Sequence, residues 1–386
     1  DVYKRQVAVL VGIWFLVFGI FGDDLIRMFL KGDAQGNDAA LTFEYAREYL
    51  HIMMGCLIPF ALTQTYSGTL RETGETIVPM KAGIVAFFAN LLLDYSLIFG
   101  KFGFPELGVR GAAIATVIAR IAEVAVVMAW AHSHTAEKPF IRGVYRSFHV
   151  PMDLVKEVIK KGTPLLLNET LWAGGMAMLV RCYSSRGLVV VAGINIATTL
   201  SNMFSIVYIA MGSAIGIILG QLLGAGKMEE AVDTDRKLIF FSVASCLGVA
   251  ILMIIVSPFF PQIYNTSDDV KYIAAWIIRV LAVCMPLNAF MNSTYFTLRS
   301  GGKTIVTFLF DSFYIWVVDI PAAILLINYT DWNVILVYFL VQMMEIVKCI
   351  IGYVLVKKGV WLNNMTIKAA TVSYTHLRAH ETLANL

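Results

Sequence analysis

Leu70-Arg-Glu-Thr-Gly-Glu-Thr76 returns 228 residues later as Leu298-Arg-Ser-Gly-Gly-Lys-Thr304, and this pair decides the fold. Each copy closes one apolar run and opens the next. Upstream, Cys56-Leu-Ile-Pro59 is echoed by Cys284-Met-Pro286 at nearly the same offset. Further on, Glu123 and Glu345 each sit inside the last apolar run of their half. One short polar turn can recur by accident, but agreement in order and spacing points to an internal duplication. Many transporters build two bundles around a central path in this way.

Composition identifies the solvent. Hydrophobic residues make up 58% of the 386 positions and charged residues 15%, with a mean hydropathy of +0.73. A soluble domain covers its surface with far more charge, so the expected surroundings are a lipid bilayer. The net charge of +3 is too small to suggest a nucleic-acid partner. Cys56, Cys182, Cys246, Cys284 and Cys349 stand singly in or beside apolar runs, which argues for buried thiols rather than a disulfide framework or a zinc site. The six histidines show no metal-ligand spacing, and His132 and His134 are expected to be solvated in a polar loop.

A hydrocarbon core of about 30 Å needs roughly 20 apolar residues as helix. Ten such runs lie near 7–30, 46–70, 78–100, 109–133, 154–183, 188–222, 236–260, 271–298, 304–328 and 332–356. The expectation is an all-α polytopic membrane protein with about ten transmembrane helices in two pseudo-symmetric bundles. Alternate loops hold Arg71 and Lys81, then Lys138 to Lys161, then Lys227, Arg236 and Lys237, then Arg299 and Lys303, then Lys357 and Lys358. These loops are richer in Lys and Arg than the opposite set and are expected to be cytoplasmic. Both copies of the repeat then have the same sidedness, with a pseudo-two-fold along the membrane normal.

The layout that follows is a first lobe of four helices over 7–133, a cytoplasmic loop over 134–153, and a second lobe of six helices over 154–371. Residues 1–6 (DVYKRQ) and the tail 372–386, which opens VSYTHLRAHET, resemble translated sequencing-library adapter and are expected to lie outside the fold. Four helices against six imply that two precede residue 7, so the chain as written is expected not to transport alone.

An acidic side chain inside a membrane span is a functional candidate, since it costs several kcal/mol unless paired or hydrated. The candidates are Asp94, Glu123, Glu169, Asp311, Asp319 and Glu345. Asn90 and Asp94 are spaced i, i+4 and project from one helix face. Together they offer oxygen ligands to Na⁺ or a hydrogen bond to a protonated acid; simple hydration of Asp94 near the helix end is the alternative. Arg120 with Glu123, and Glu345 with Lys348, are spaced i, i+3 and read as neutralised structural pairs. Asp311 and Asp319 have no partner legible in sequence, and Asp319 precedes Pro321, whose missing N–H leaves a carbonyl for hydration. Gly212, Gly216, Gly220 and Gly224 make a smooth ridge for helix packing. Trp130, Trp332 and Tyr338 read as interface anchors.

Three stretches, Leu70–Pro79 (LRETGETIVP), Gly103–Thr116 (GFPELGVRGAAIAT) and Gly220–Ala231 (GQLLGAGKMEEA), give the chain its resemblance to the MATE family of multidrug and toxic compound extrusion transporters. The family has twelve helices in two six-helix bundles, so the resemblance implies the third to the twelfth here. In its DinF-like branch an Asn-x-x-x-Asp pair and a Thr of the GAAIAT motif form a cation site in the first lobe, which carries over to Asn90, Asp94 and Thr116. Glu169 resembles the substrate- or cation-binding Glu of the NorM-like and eukaryotic branches. Where the NorM-like proteins pair that Glu with an Asp, this chain has Asn288, with Asn292 one turn on, so Glu169 is expected to contact cationic substrate, with Asn288 and Asn292 nearby.

The resemblance implies a cation-coupled antiporter, driven by Na⁺ or H⁺, that exports small organic and often cationic compounds by alternating access. It would be a monomer of the cell's inner (plasma) membrane with no cofactor beyond the coupling ion. A lipid-linked oligosaccharide flippase would want cationic residues to hold pyrophosphate, whereas the intramembrane cations are few (Arg120, Arg279, Lys348) and two have acidic neighbours. An intramembrane prenyltransferase would need clustered Asp for a Mg²⁺-diphosphate, and Asp23-Asp24 and Asp268-Asp269 are lone pairs.

Overall fold

A computed structural model describes residues 2–30, 37–135 and 152–363, which are helical apart from short turns. The helices are α1 (Val2–Leu30), α2 (Asn37–Met54), α3 (Leu57–Glu72), α4 (Ile77–Phe99), α5 (Val109–Ser133), α6 (Met152–Ser184), α7 (Leu188–Gly224), α8 (Met228–Val256) and α9 (Asp268–Ser300). They are followed by α10 (Thr304–Tyr329) and α11 (Val334–Lys357). Seven of them, α4, α5 and α7 to α11, are long and apolar enough to cross a membrane. Backbone polar groups satisfied within each segment are what hydrocarbon demands of a spanning chain. The connection expected over 134–153 lies almost wholly outside the described residues, as does the tail 372–386, while residues 2–6 fall within α1.

The chain forms two compact units, Asp1–Lys156 and Glu157–Leu386. In the first, α5 packs on α2, α3 and α4 through a strip of small residues, with Gly111, Ala113, Ala115, Ala119 and Ala131 buried. In the second, α9 packs on α7, α8 and α11. Half of its most apolar window is buried, against 22% for α7 and for α8, which makes α9 the core helix of that unit. Tyr183, Ile194, Met253, Ile277, Ile278, Met285 and Tyr338 meet around it.

The offset of 228 read from the repeat extends to whole elements. Shifted by that amount, α1 falls on α8, α2 with α3 on α9, α4 on α10 and α5 on α11, each within four residues at either end. Arg120 of α5 thereby becomes the counterpart of Lys348 of α11.

The continuous run expected over 46–70 is instead two helices, broken at Gly55–Cys56, where the backbone turns through Gly55 N–H to Ile52 O and Cys56 N–H to Met53 O bonds. Pro59 cannot donate to the Gly55 carbonyl, and glycine itself weakens a helix by roughly 1 kcal/mol. The counterpart of Gly55 in α9 is Val283, and α9 runs unbroken through Pro286. Three other expectations change. Tyr338 is 8% exposed and packs at a tilt on Tyr183 in the core, so it is no interface anchor. His132 lies in α5 and bonds the Tyr66 hydroxyl at 3.1 Å, while His134 stacks on Trp130, so neither is simply solvated. The glycine ridge of α7 packs only in part: Gly212 lies against Asn292 and Phe296 and Gly216 against Phe296, while Gly220 and Gly224 have open space beside them.

The second copy of the repeated turn is sealed by the chain that follows α11. Trp361 is 1% exposed, and its backbone carbonyl lies where a Cβ on Gly301 would be. Gly301→Ala should therefore lower the unfolding temperature in detergent, with a cost of about 1–3 kcal/mol for an overpacked contact. Gly220→Ala, where nothing stands in the way, should leave it unchanged or slightly raised.

Candidate functional site

Each unit carries one set of polar side chains inside apolar helices. In the first, Asn90 and Asp94 share a strip of α4 with Leu97. Leu97 is where α5 comes closest, since an ideal Cβ on Gly111 would stand 2.6 Å from the Leu97 carbonyl oxygen. The strip bearing Asn90 and Asp94 therefore faces α5. The turn between the two helices is made by Gly100, at φ 62°, which caps α4 in the left-handed region that glycine tolerates.

Gly111 against Leu97 also sets the register. Equal rises of about 1.5 Å per residue in the antiparallel pair put Thr116 level with residue 92, between Asn90 and Asp94, though turned about 140° round α5 from Gly111. The Thr116 hydroxyl donates to the Ala112 carbonyl at 2.9 Å, which leaves its oxygen lone pairs open. Among the described residues, Asp94 Oδ1 and Asn90 Nδ2 are buried and have no hydrogen-bond partner. A carboxylate oxygen so placed in hydrocarbon takes either a proton or a monovalent cation. Arg120 and Glu123, on α5, form their expected ion pair at 2.5 Å, and the guanidinium lies 5.9 Å from the centre of the Phe60 ring.

The second unit's set is larger and joins α6, α9, α10 and α11. Lys348 Nζ lies 2.9 Å from Asp311 Oδ1 and 3.6 Å from Glu345 Oε2. Glu345 and Lys348 were expected to neutralise each other, yet the shorter contact goes to Asp311, on a different helix. Asp311 in turn accepts from Asn168 Nδ2 at 3.1 Å. Asn168 is 1% exposed and also accepts from the Ser312 backbone N–H at 3.3 Å and hydroxyl at 2.8 Å. Asn168 Nδ2 approaches the Tyr295 hydroxyl at 3.5 Å, and that hydroxyl donates to Glu169 Oε1 at 3.4 Å. Glu169 itself is exposed. The result is a continuous polar chain from buried Lys348 to an accessible carboxylate.

The backbone of α10 is shaped around this set. It contains two π-helical turns, Leu309–Phe313 and Ile315–Asp319, which hold Asp311 and Asp319. Pro321 removes the α-helical donor for the Val317 carbonyl, and wider turns of this type are frequent at functional sites. Of the expected substrate residues, Asn288 is half-buried on α9. Asn292 lies against Gly212 of α7 with its Oδ1 buried and without a partner among the described residues. A cleft of about 340 Å³ between α6 and α10 is lined by Lys160, Thr163, Pro164, Leu167, Ile305 and Phe308. Asn168, Tyr295 and Ser312 were not singled out from the sequence; the only signal was a lone Asn beside Glu169 within an apolar run.

With both sets of side chains placed, the chain can be set beside known proteins. The MatE family model matches residues 5–96 and 164–325, more than half of the chain. The chain belongs to the MatE family. This is a family of membrane transporters, not enzymes, and the apolar helices agree with an integral membrane protein. Among curated relatives, a probable multidrug resistance protein NorM of Thermotoga maritima is 24% identical over 84% of this chain and 68% of its own length. A probable multidrug resistance protein YoeA of Bacillus subtilis is 26% identical over 84% of this chain and 69% of its own length. Among solved structures, a MOP-superfamily transporter from Pyrococcus furiosus superposes with a TM-score of 0.77 at 20% identity, over 92% of this chain and 77% of that one. The fold of the MatE chain is thus that of solved transporters, with its own complement of buried charges.

Lys348 holds the second unit's set together, and removing one partner of a buried ion pair leaves the other uncompensated. Lys348→Met should destabilise that unit by about 3–5 kcal/mol, seen as a lowered unfolding temperature in detergent. Glu169→Gln, at the exposed end of the same chain, should leave that temperature nearly unchanged.

Proposed function

We propose that this MatE protein is a cation-coupled exporter of small organic, often cationic, compounds, working by alternating access in the plasma membrane. The observation that carries the reading is the half-buried Asn90–Asp94 pair facing α5, with a buried carboxylate oxygen and a buried amide nitrogen left without partners among the described residues. The names of the Thermotoga and Bacillus relatives, both multidrug resistance proteins, support the substrate class. In this reading Asp94 binds Na⁺ or H⁺ with help from Asn90 and Thr116, as in the DinF-like branch. Glu169 meets cationic substrate at the accessible end of the second unit's polar chain, with Asn288 and Asn292 on the neighbouring helix.

Coupling needs only that ion and substrate prefer different conformations. An ion bound at Asp94 then favours the state that releases substrate outside. A lipid-linked oligosaccharide flippase is disfavoured by the intramembrane cations: Arg120 and Lys348 are already engaged by carboxylates, and Arg279 is packed on Trp276 and donates to Ser257.

Binding of a fluorescent cationic dye to the purified chain in nanodiscs tests the reading. The dye should bind, and raising Na⁺ or lowering pH should displace it; whichever acts is the coupling ion. Asp94→Asn should keep dye binding while losing its ion sensitivity at least tenfold, and Glu169→Gln should weaken dye binding itself. Binding of a lipid diphosphate sugar with no binding of cationic dye would instead support the flippase.

A further inference from the structure

The charge balance around Lys348 cannot stand as drawn. The N-terminal unit places Arg120 at the equivalent position, where its ion pair is with the single carboxylate of Glu123. Lys348 stands among three: Asp311 at 2.9 Å, Glu345 at 3.6 Å, and Asp319 within electrostatic reach but beyond ion-pair distance. With every group ionised the cluster would carry two net negative charges around Lys348 and Asp319, which are 5% and 3% exposed. A buried carboxylate without a counter-charge neutralises by taking a proton rather than remaining ionised.

Geometry decides which carboxylate takes it. Asp311 is committed, bonded to Lys348 on one oxygen and to Asn168 on the other. Glu345 Oε2 is likewise buried without a hydrogen-bond partner among the described residues, but the Lys348 ammonium stands 3.6 Å from it, within ion-pair distance. Asp319 is 3% exposed, and its Oδ1 is buried with no hydrogen-bond partner among the described residues. Among the described residues its surroundings supply no second cation. From α6 the nearby titratable group is Tyr183, and from its own helix they are Asp311 and Tyr314. From α11 the groups that act on it electrostatically are Glu345 and Lys348; Tyr338 acts on Tyr183, and Cys349 of α11 and Cys284 of α9 feel Glu345. The Tyr314 hydroxyl donates to the Met344 carbonyl at 2.7 Å, so its proton is not available to Asp319.

We propose that Asp319, with Glu345 as its immediate neighbour, is a proton-binding site in the C-terminal unit, separate from Asn90–Asp94 and kept in place by the Lys348–Asp311 ion pair. The ligand is a proton rather than a metal cation, because the Lys348 ammonium already occupies the position between Asp311 and Glu345 that a cation would share. Asp319 closes the second π-helical turn of α10, and Asp311 lies in the first, which Ser312 ties to Asn168 of α6. Loss of the proton would put a second uncompensated charge beside Glu345 and push α10 away from α11. The proposed export function gives this motion its use, and the inference deepens that reading, yet the protonation itself can be measured without any transport.

Infrared difference spectroscopy of the purified chain in nanodiscs reads it directly. At neutral pH the wild-type protein should show the carbonyl band of a protonated buried carboxylic acid, with the usual downshift in D2O. The band should survive in Asp94→Asn, vanish when Asp319→Asn is added to Asp94→Asn, and shift in Glu345→Gln. A wild-type spectrum without such a band overturns the proposal, as does a band that persists in the Asp94→Asn, Asp319→Asn double variant. If Asp319→Asn does not fold, Glu345→Gln decides alone, and an unshifted band there overturns it. Dye binding with no ion sensitivity, alongside the Asp319 band, would sink the export reading and leave the proton site standing.

Discussion

Everything distinctive in the second unit depends on one electrostatic constraint: a carboxylate held away from water must find a cation, a proton or several hydrogen bonds. α10 carries Asp311 and Asp319 eight residues apart, and α11 answers with its one buried lysine, Lys348, which it has already placed one turn from Glu345. Lys348 draws Asp311 into contact, Asp311 draws Asn168 of α6, and Asn168 fixes Ser312 in the π-helical turn. Three helices are thereby pinned at one level by polar contacts, while the hydrophobic core around α9 holds them from the other side. Hydrocarbon packing alone gives helices little orientational preference, since lipid tails are as apolar as leucine side chains.

The two units use the same scaffold with different charge. The duplication places α5 over α11 and Arg120 over Lys348, but the first unit closes its cation in a local pair and leaves a carboxylate and an amide open on α4. The second unit spreads its cation over two carboxylates and ends in an accessible Glu169. An internal repeat that has diverged in its charges rather than in its helices can assign different ligands to its two halves while keeping one way of moving.

Much of the fold was legible in the sequence because lipid leaves few options: apolar runs of about 20 residues become helices, and the repeated Leu-Arg turn fixed their pairing into halves. The break at Gly55–Cys56 was written in Gly55 and Pro59, yet hydropathy averages across such a break and read one run. The Asn90–Asp94 pair was visible because i, i+4 spacing is a local signal. Asp311 and Lys348 are 37 residues apart on different helices, and Asn168 is farther still, so no spacing rule connects them. Tyr338 misled for the same reason: an aromatic near a helix end looks like an interface anchor until its neighbour Tyr183 is known.

The central claim is that ions at Asp94 and organic cations at Glu169 compete, and counting the ions released when dye binds tests it most directly. Mixing a cationic dye with the nanodisc-held chain in weak buffer at neutral pH, with ²²Na⁺ present, should release protons or Na⁺ in proportion to the dye bound. That release should fall to background in Asp94→Asn. Dye binding that releases neither ion would contradict the account.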